Sequence, residues 1–250
     1  MTSRTPAIAV VAALEDEAAG LLAKVEVARR LLMDGSPAWE ARFGGQSLVL
    51  VRSGPGRLRA EAAASYLLGH YPLSALLGIG FAGAVQEGLR VGDLVLCEKV
   101  YAQQEGEAHS SDAALLQRAA ATLEGGGRPF HRGDALTVPQ VLGEPEAKAA
   151  LGRRMPVAVV EMEGYWLAEA AARRGVPFLA LRVVLDEVGD WLPDENFLDE
   201  TGVVQRHKAM AYLMRHPERT AALMRLGAAV HKAGQSLAAS VAAILEQWGS

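Results

Sequence analysis

Apolar residues along the chain come in short blocks separated by polar, glycine- or proline-containing stretches. Residues 7–13, AIAVVAA, form a continuous apolar run, the pattern of a buried strand. Leu14 to Lys24 then reads as a helix, with Glu15, Asp16 and Glu17 in the first turn, where the positive end of the helix dipole favours acids. A polar, hairpin-like stretch follows: Trp39, Ala41 and Phe43 alternate, Gly44-Gly45 turns, and SLVLVR at 47–52 reads as a strand. Ser53-Gly54-Pro55-Gly56 is a tight turn that opens a helix, with Leu58, Ala62, Tyr66 and Leu67 as its expected inner stripe. Leu76 to Ala82 predicts another buried strand, ending in GIGFAGAV at 78–85, and Val91-Gly92-Asp93 turns into a strand LVLCEKV at 94–100.

Residues 101–127 are polar, end in Gly125-Gly126-Gly127, and hold one helix near 111–123. Strands are expected near 129–137 and 157–162, a helix over 164–174, and a continuous apolar strand, FLALRVVL, at 178–185. In GDWLPDENFLDETG, 189–202, Pro, Asp, Glu and Asn break every period, which predicts a loop. The remainder is helical: Pro217 suits a first turn, and Leu223, Leu226, Val230, Leu237, Val241 and Leu245 follow helical spacing. No repeat or low-complexity linker appears, so one domain over 1–250 is expected. Strands alternating with helices predict an α/β sandwich with a mixed, mostly parallel sheet flanked by helices. Ligands of such sheets bind beyond the carboxyl ends of strands. That rule puts the loops after 13, 52, 80, 160 and 185 on the functional edge.

Composition narrows the classes. Half of the 250 residues are hydrophobic and 22% are charged, enough for a substantial core under a soluble surface. No apolar run approaches the ~20 residues of a bilayer span, so no stable membrane insertion is expected. MTSRTPAIAVVAALEDE lacks a signal-peptide plan. The lone cysteine, Cys97, excludes an intramolecular disulfide and a Cys-rich zinc site, and these features together favour the cytoplasm. A net charge of −4 with scattered basic pairs argues against a nucleic-acid surface. The six histidines show no metal-ligand spacing, and no metal is expected.

Three acidic positions follow apolar strands: Glu15-Asp16-Glu17, then Glu161-Met162-Glu163, then Asp186. Carboxylates at the ends of buried strands are partly desolvated, which raises their pKa toward the range of proton transfer at neutral pH. Alternation puts Glu161 and Glu163 on one face of a strand end. Each acid also has a plainer reading: helix-dipole complement for 15–17, a cap or an ion pair with Arg182 for Glu163, helix capping for Asp186. Gly78, Gly80 and Gly83 fit a dinucleotide-loop spacing. The segment after them is a short turn rather than a helix, which argues against a Rossmann site.

In order, AIAVVAALEDE (7–17), LVRSGPGRLRAEAAA (50–64), LGIGFAGAVQEGLRVGDLVL (77–96), RGDALT (132–137), VVEMEG (159–164) and VPFLALRVVLDEVGD (176–190) resemble one family. It is the purine nucleoside phosphorylase and methylthioadenosine/S-adenosylhomocysteine nucleosidase superfamily. The pair EMEG and LRVVLDEVGD is the specific part. The resemblance implies a three-layer sandwich around a twisted mixed sheet, no cofactor, a small-molecule purine nucleoside as partner, and a homo-oligomer of at least two subunits. Asp186 matches the acid that protonates N7 of the leaving purine, and Glu17 the glutamate that activates water. Glu163 matches the carboxylate that grips the ribose hydroxyls, with Met162 under the sugar and Arg182 near the carboxylate and water. Phe81, Ala82, Gly83 and Leu136 fall where the family lines its substrate pocket.

Departures bear on the reaction. Gly78 and Phe81 stand where phosphorylases hold phosphate with arginine and serine, and the first loop is acidic. Desolvating a phosphate dianion there without positive charge is costly, which favours hydrolysis of an adenosine-type nucleoside over phosphorolysis with phosphate as co-substrate. Leu136 replaces an aromatic that stacks on adenine, leaving Phe81, Tyr165, Trp166 or Trp191 as substitutes. The tail, with YLMRHPERTAALMRLG at 212–227, is similar to the hopanoid-associated branch, which implies adenosylhopane cleavage and an apolar groove. Packing of the C-terminal helices on the sheet is the plainer reading of their amphipathic pattern. A non-catalytic nucleoside-binding protein is the alternative from a different class.

Overall fold

The computed structural model describes residues 6–103, 106–193, 197–199 and 201–248. The strands are β1 (Ala7–Ala12), β2 (Glu26–Met33), β3 (Ser36–Phe43), β4 (Gln46–Arg52), β5 (Leu73–Ala84), β6 (Leu94–Ala102), β7 (His109–Ser110), β8 (Phe130–Thr137), β9 (Val159–Glu161) and β10 (Phe178–Asp186). The helices are α1 (Glu15–Leu22), α2 (Arg57–His70), α3 (Ala113–Gly125), α4 (Pro145–Arg154), α5 (Gly164–Arg174), α6 (Arg206–Arg215) and α7 (Thr220–Trp248). A 3-10 turn, Pro217–Arg219, separates the last two, with its proline in the first turn as the sequence predicts.

The sheet runs β10-β6-β8-β9-β5-β1-β4-β3-β2, and β10 also pairs with β5. That extra pairing closes β5, β10, β6, β8 and β9 into a ring, from which β1, β4, β3 and β2 extend. Parallel pairings link β4, β1, β5 and β10, and again β6, β8 and β9. Antiparallel pairings build the β2–β3–β4 meander and join β6 to β10 and to β7, and β5 to β9. The sheet is mixed, as the sequence predicts. Its central strand β5 runs straight through the glycine segment, so the functional edge begins after Ala84 and not after residue 80.

Helices cover both faces. On one, Ala60, Ala63, Ala64 and Leu67 of α2 pack with Tyr165, Leu167, Ala168 and Ala171 of α5 against Val11, Val51 and Ala180. The predicted stripe of α2 is rotated: Leu58 is 79% exposed, because the alanine face lets the helix approach the sheet closely. On the other face α1, α3 and α7 meet Ile8, Leu50, Leu77, Leu96 and Leu181. α7 packs on the sheet through Ala233, Leu237, Val241, Ile244 and Leu245, while Met224 nearer its start is exposed. A third, smaller cluster, Val85, Leu136, Val138, Val157 and Val160, lies beneath Leu151 of α4. α4 itself falls in a stretch the sequence pattern does not resolve. Residues 194–196 and 200 of the expected 189–202 loop lie outside the described residues. No described helix is long and apolar enough to cross a membrane.

Candidate active site

Strand ends bring three of the acids, Glu17, Glu161 and Glu163, into one electrostatic neighbourhood. Where β1 passes into α1, the Glu17 side chain folds back: Oε2 accepts from the Ala13 and Leu14 N–H groups at 2.8 Å each. Oε1 accepts from the Phe81 N–H at 2.7 Å, tying the loop to β5. Glu17 is 4% exposed, and burial raises its pKa against the pull of these bonds and of Arg182. A Cβ on residue 80 would sit 2.8 Å from Oε1, so the carboxylate needs Gly80 beneath it.

Glu161, the last residue of β9, faces Arg182 of β10. Arg182 donates to Glu161 Oε2 through Nη2 at 2.5 Å and Nε at 3.2 Å, and through Nη1 to the Gly78 carbonyl at 2.9 Å. Glu161 also accepts from the Thr137 hydroxyl and from the N–H groups of Glu163 and Gly164. The Arg182 charge and these donors overcome burial and hold Glu161 below the usual carboxylate range. The ion pair weighed for Glu163 therefore belongs to Glu161. Nor do the two glutamates share a strand face: β9 ends at Glu161, and Glu163 caps α5 with φ −128° and ψ −30°. Glu163 stays partly accessible and accepts from the Gly56 N–H at 2.6 Å, at the mouth of α2. Burial first, then the Glu161 charge, push its pKa up to about 8.

Asp186 ends β10 and is 3% exposed. Its Oδ2 accepts from Lys148 Nζ at 2.7 Å, and burial raises the carboxyl even against that cation. Gly83 stands beside it as Gly80 stands beside Glu17: a Cβ there would lie 3.0 Å from Oδ2 and 3.2 Å from Oδ1. The two carboxylates thus flank one strand, three residues or about 10 Å apart. Glu17, Glu161, Glu163 and Arg182 form one electrostatic group. Asp186 is joined to that group through β5 and β10.

The remaining expected residues fall in two places. Phe81 donates its backbone to Glu17, but its ring lies in the core layer toward Gly234 of α7, so it does not serve to stack a base. Ala82 is buried against the α2/α5 layer. Leu136 and Met162 meet in the cluster under α4, where Tyr101, opposite Leu136 on β6, is an aromatic that sequence reading passed over. Trp166 is covered by the Arg57 guanidinium at 3.8 Å, and Trp191 by Arg219 at 4.1 Å. Tyr165 packs edge-on to Trp166.

Lys148 is the larger omission. Its signal was a lysine at the helical position that Leu151 and Met155 continue, an inward stripe with a charge in it. Two surface hollows of about 430 and 390 Å³ lie elsewhere, one between α1 and α7 (Gly20, Gly234, Ala238), one between α2 and α5 (Ser65, Trp166, Arg173). Among the described residues no group of three His, Cys, Asp or Glu is arranged to hold a metal ion.

A 5'-methylthioadenosine/S-adenosylhomocysteine nucleosidase of Geobacillus kaustophilus is 28% identical over 201 residues, covering 73% of this chain and 85% of the relative. The corresponding protein of Shewanella denitrificans is 25% identical over 203 residues, covering 74% and 88%. Among solved structures, futalosine hydrolase of Helicobacter pylori superposes with a TM-score of 0.78 at 16% identity, covering 97% of this chain and 98% of that one. A Neisseria meningitidis 5'-methylthioadenosine/S-adenosylhomocysteine nucleosidase, in complex with methylthio-immucillin-A, gives 0.77 at 20% identity, covering 97% and 100%. These structures share the fold. The Phosphorylase superfamily model matches residues 7–214, and the chain belongs to that superfamily.

Proposed function

We propose that the chain hydrolyses the N-glycosidic bond of an adenosine-type nucleoside such as methylthioadenosine or S-adenosylhomocysteine. It is an enzyme of its superfamily, and its curated relatives are nucleosidases. In this reading Asp186 gives a proton to N7 of the purine, because an anionic base leaves poorly and a buried, protonated carboxyl is a donor in place to discharge it. Glu163 binds the ribose hydroxyls, Met162 lies under the sugar, and Glu17 accepts a proton from the attacking water. Where they are ionised, carboxylates around the sugar stabilise the oxocarbenium-like transition state. Ala82, Gly83 and Leu136 line the base side, with Tyr101 as the nearest aromatic.

The observation that carries this reading is Asp186 itself: buried at the end of β10, with burial raising its pKa from the ordinary value, and bonded through Oδ2. Hydrolysis is supported by Arg182 and Lys148, in which every side-chain nitrogen is already bonded to a carboxylate or a backbone carbonyl.

One observation favours phosphorolysis instead. Arg52 at the end of β4 has a buried Nε without a hydrogen-bond partner among the described residues, and its Nη1 lies 3.7 Å from Glu15 Oε1. An orphan guanidinium N–H is suited to an anion.

The deciding assay is base release from adenosine, methylthioadenosine and inosine, with and without phosphate. Free ribose at a phosphate-independent rate is expected. Ribose 1-phosphate as main product, abolished by Arg52→Met, overturns hydrolysis, and no release from any substrate leaves a binding protein.

A further inference from the structure

Lys148 has no place in the reading above, yet it is the buried residue of α4 and is 0% exposed. An ammonium removed from water is tolerated only where its protons are bonded. All three are: Nζ donates to Asp186 Oδ2 at 2.7 Å and to the Glu187 and Asp190 carbonyls at 2.6 Å each. One cation therefore grips both the carboxylate and the turn that follows it. With Leu151 and Met155 on the same inward stripe, an apolar side chain would fill the position without desolvating a charge.

Asp186 accepts this one bond, and its Oδ1 has no hydrogen bond among the described residues. The charged groups that bear on it are Lys148 from α4 and Asp190 from its own turn. Burial opposes the ionised form and outweighs Lys148, which favours it, and Asp190 acts in the same direction as burial.

We propose that Lys148 is the positioning residue for Asp186: it fixes Oδ2, so that the acidic proton sits on Oδ1, and it neutralises the carboxylate once that proton has left. The inference rests on the reading of Asp186 as the acid. In the step, the proton passes from Asp186 Oδ1 to N7, the electron pair of the C1'–N9 bond leaves with the base, and water oxygen bonds to C1' as its proton passes to Glu17, which returns it to solvent. The carboxylate left behind becomes half of a full ion pair with the Lys148 ammonium. A proton from water restores Asp186 before the next turnover. Without the cation, the conjugate base would be uncompensated in a dry site, and Asp186 would be a weaker acid that holds its proton to higher pH.

Lys148→Met tests this with two substrates. Turnover of the purine nucleoside is expected to fall by at least ~10-fold, part of what a general acid supplies, and the alkaline limb of the kcat/KM profile to move to higher pH. Cleavage of p-nitrophenyl riboside, whose leaving group departs as an anion without protonation, is expected to change by less than about 3-fold, because general acid catalysis contributes nothing to it. Equal losses on both substrates with an unmoved alkaline limb overturn the proposal, since a structural role would produce them.

If the variant does not fold, wild-type protein labelled at aspartate 13Cγ and lysine 15Nζ decides the question, with Asp186→Asn for assignment. A Lys148 signal that titrates in step with Asp186 is expected, and independent titrations overturn the coupling. Wild-type enzyme that cleaves neither substrate would refute the nucleosidase reading instead, while the titration would still judge the pair.

Discussion

Two buried ion pairs hang from β10, four residues apart, and they differ in how completely they are bonded. Arg182 and Glu161 are 2% and 4% exposed, Lys148 and Asp186 0% and 3%, so burial does not separate them. Glu161 accepts from two Arg182 nitrogens, a hydroxyl and two backbone N–H groups, and stays ionised. Among the described residues Asp186 accepts from Lys148 alone, and burial pushes it the other way. A saturated carboxylate is fixed in one protonation state and serves to hold β9, β10 and the start of α5 together. An under-bonded one retains the capacity to exchange a proton. Saturation, more than depth, sorts scaffold from chemistry here.

The sharpest way to break this comparison is to remove the cation of the saturated pair. Arg182→Met leaves Glu161 buried and uncompensated, which costs about 3–5 kcal/mol. Against a total stability of about 5–15 kcal/mol that is severe, and a large fall in the denaturant midpoint is expected. Adding Glu161→Gln should restore part of the loss, because removing both charges is often nearly neutral. A cost below about 1 kcal/mol for Arg182→Met would show that the pair is not the brace described.

Asp186→Asn should invert the balance between stability and activity. Asparagine keeps the size, and its carbonyl still accepts from Lys148, which retains the Glu187 and Asp190 carbonyls. Stability is expected to fall less than in Arg182→Met. Turnover of an adenosine-type substrate should drop at least ~100-fold, the lower range for loss of a general acid, because asparagine donates a hydrogen bond but no proton. Adenine affinity, read by calorimetry, should survive. Near-wild-type turnover would sink the acid assignment.

The sequence made parts of this legible for identifiable reasons. Apolar runs at 7–13 and 178–185 announce strands buried on both faces, and acids that terminate such runs stand out against them. Hence Glu17, Glu163 and Asp186 were found as candidates. Their partners were not. The Phe81 N–H, the Gly56 N–H and Lys148 come from distant segments, and nothing in periodicity says which strand end faces which. Glu161 was noticed, yet its pairing with Arg182 depends on β9 ending one residue before the turn at Met162 and Glu163. Phe81 is a candidate pocket aromatic by its place in the family resemblance, as a substitute for the one that Leu136 replaces. The strand alternation of β5 instead sends its ring into the α7 layer. On α2, Leu67 and Tyr66 of the expected stripe pack on the core while Leu58 and Ala62 are exposed, because close helix–sheet contact uses Ala60, Ala63 and Ala64. The ring closure of β5, β10, β6, β8 and β9 is a long-range property that no local pattern carries.

The smallest expected effect contrasts Glu161 with its neighbour Glu163, two residues on and shifted the opposite way. Glu163 has its pKa pushed from 4.5 to about 8 by burial and by the Glu161 charge, while the Gly56 N–H holds it down. The folded chain therefore keeps a proton that the unfolded chain releases between those values. Stability falls as pH rises through that window and stays reduced above it. Glu163→Gln keeps an acceptor for the Gly56 N–H and has no proton to lose. The variant's Tm minus that of wild type should then be near zero at pH 4 and become positive by pH 8.5. Because Glu163 is partly accessible, solvent screening trims the gain to about 2–4 °C, the response of a chain this size to about 1 kcal/mol. Thermal scans of both proteins across that range test it, and a Tm difference that does not change with pH would mean that Glu163 ionises normally and that the contrast with Glu161 is one of geometry alone.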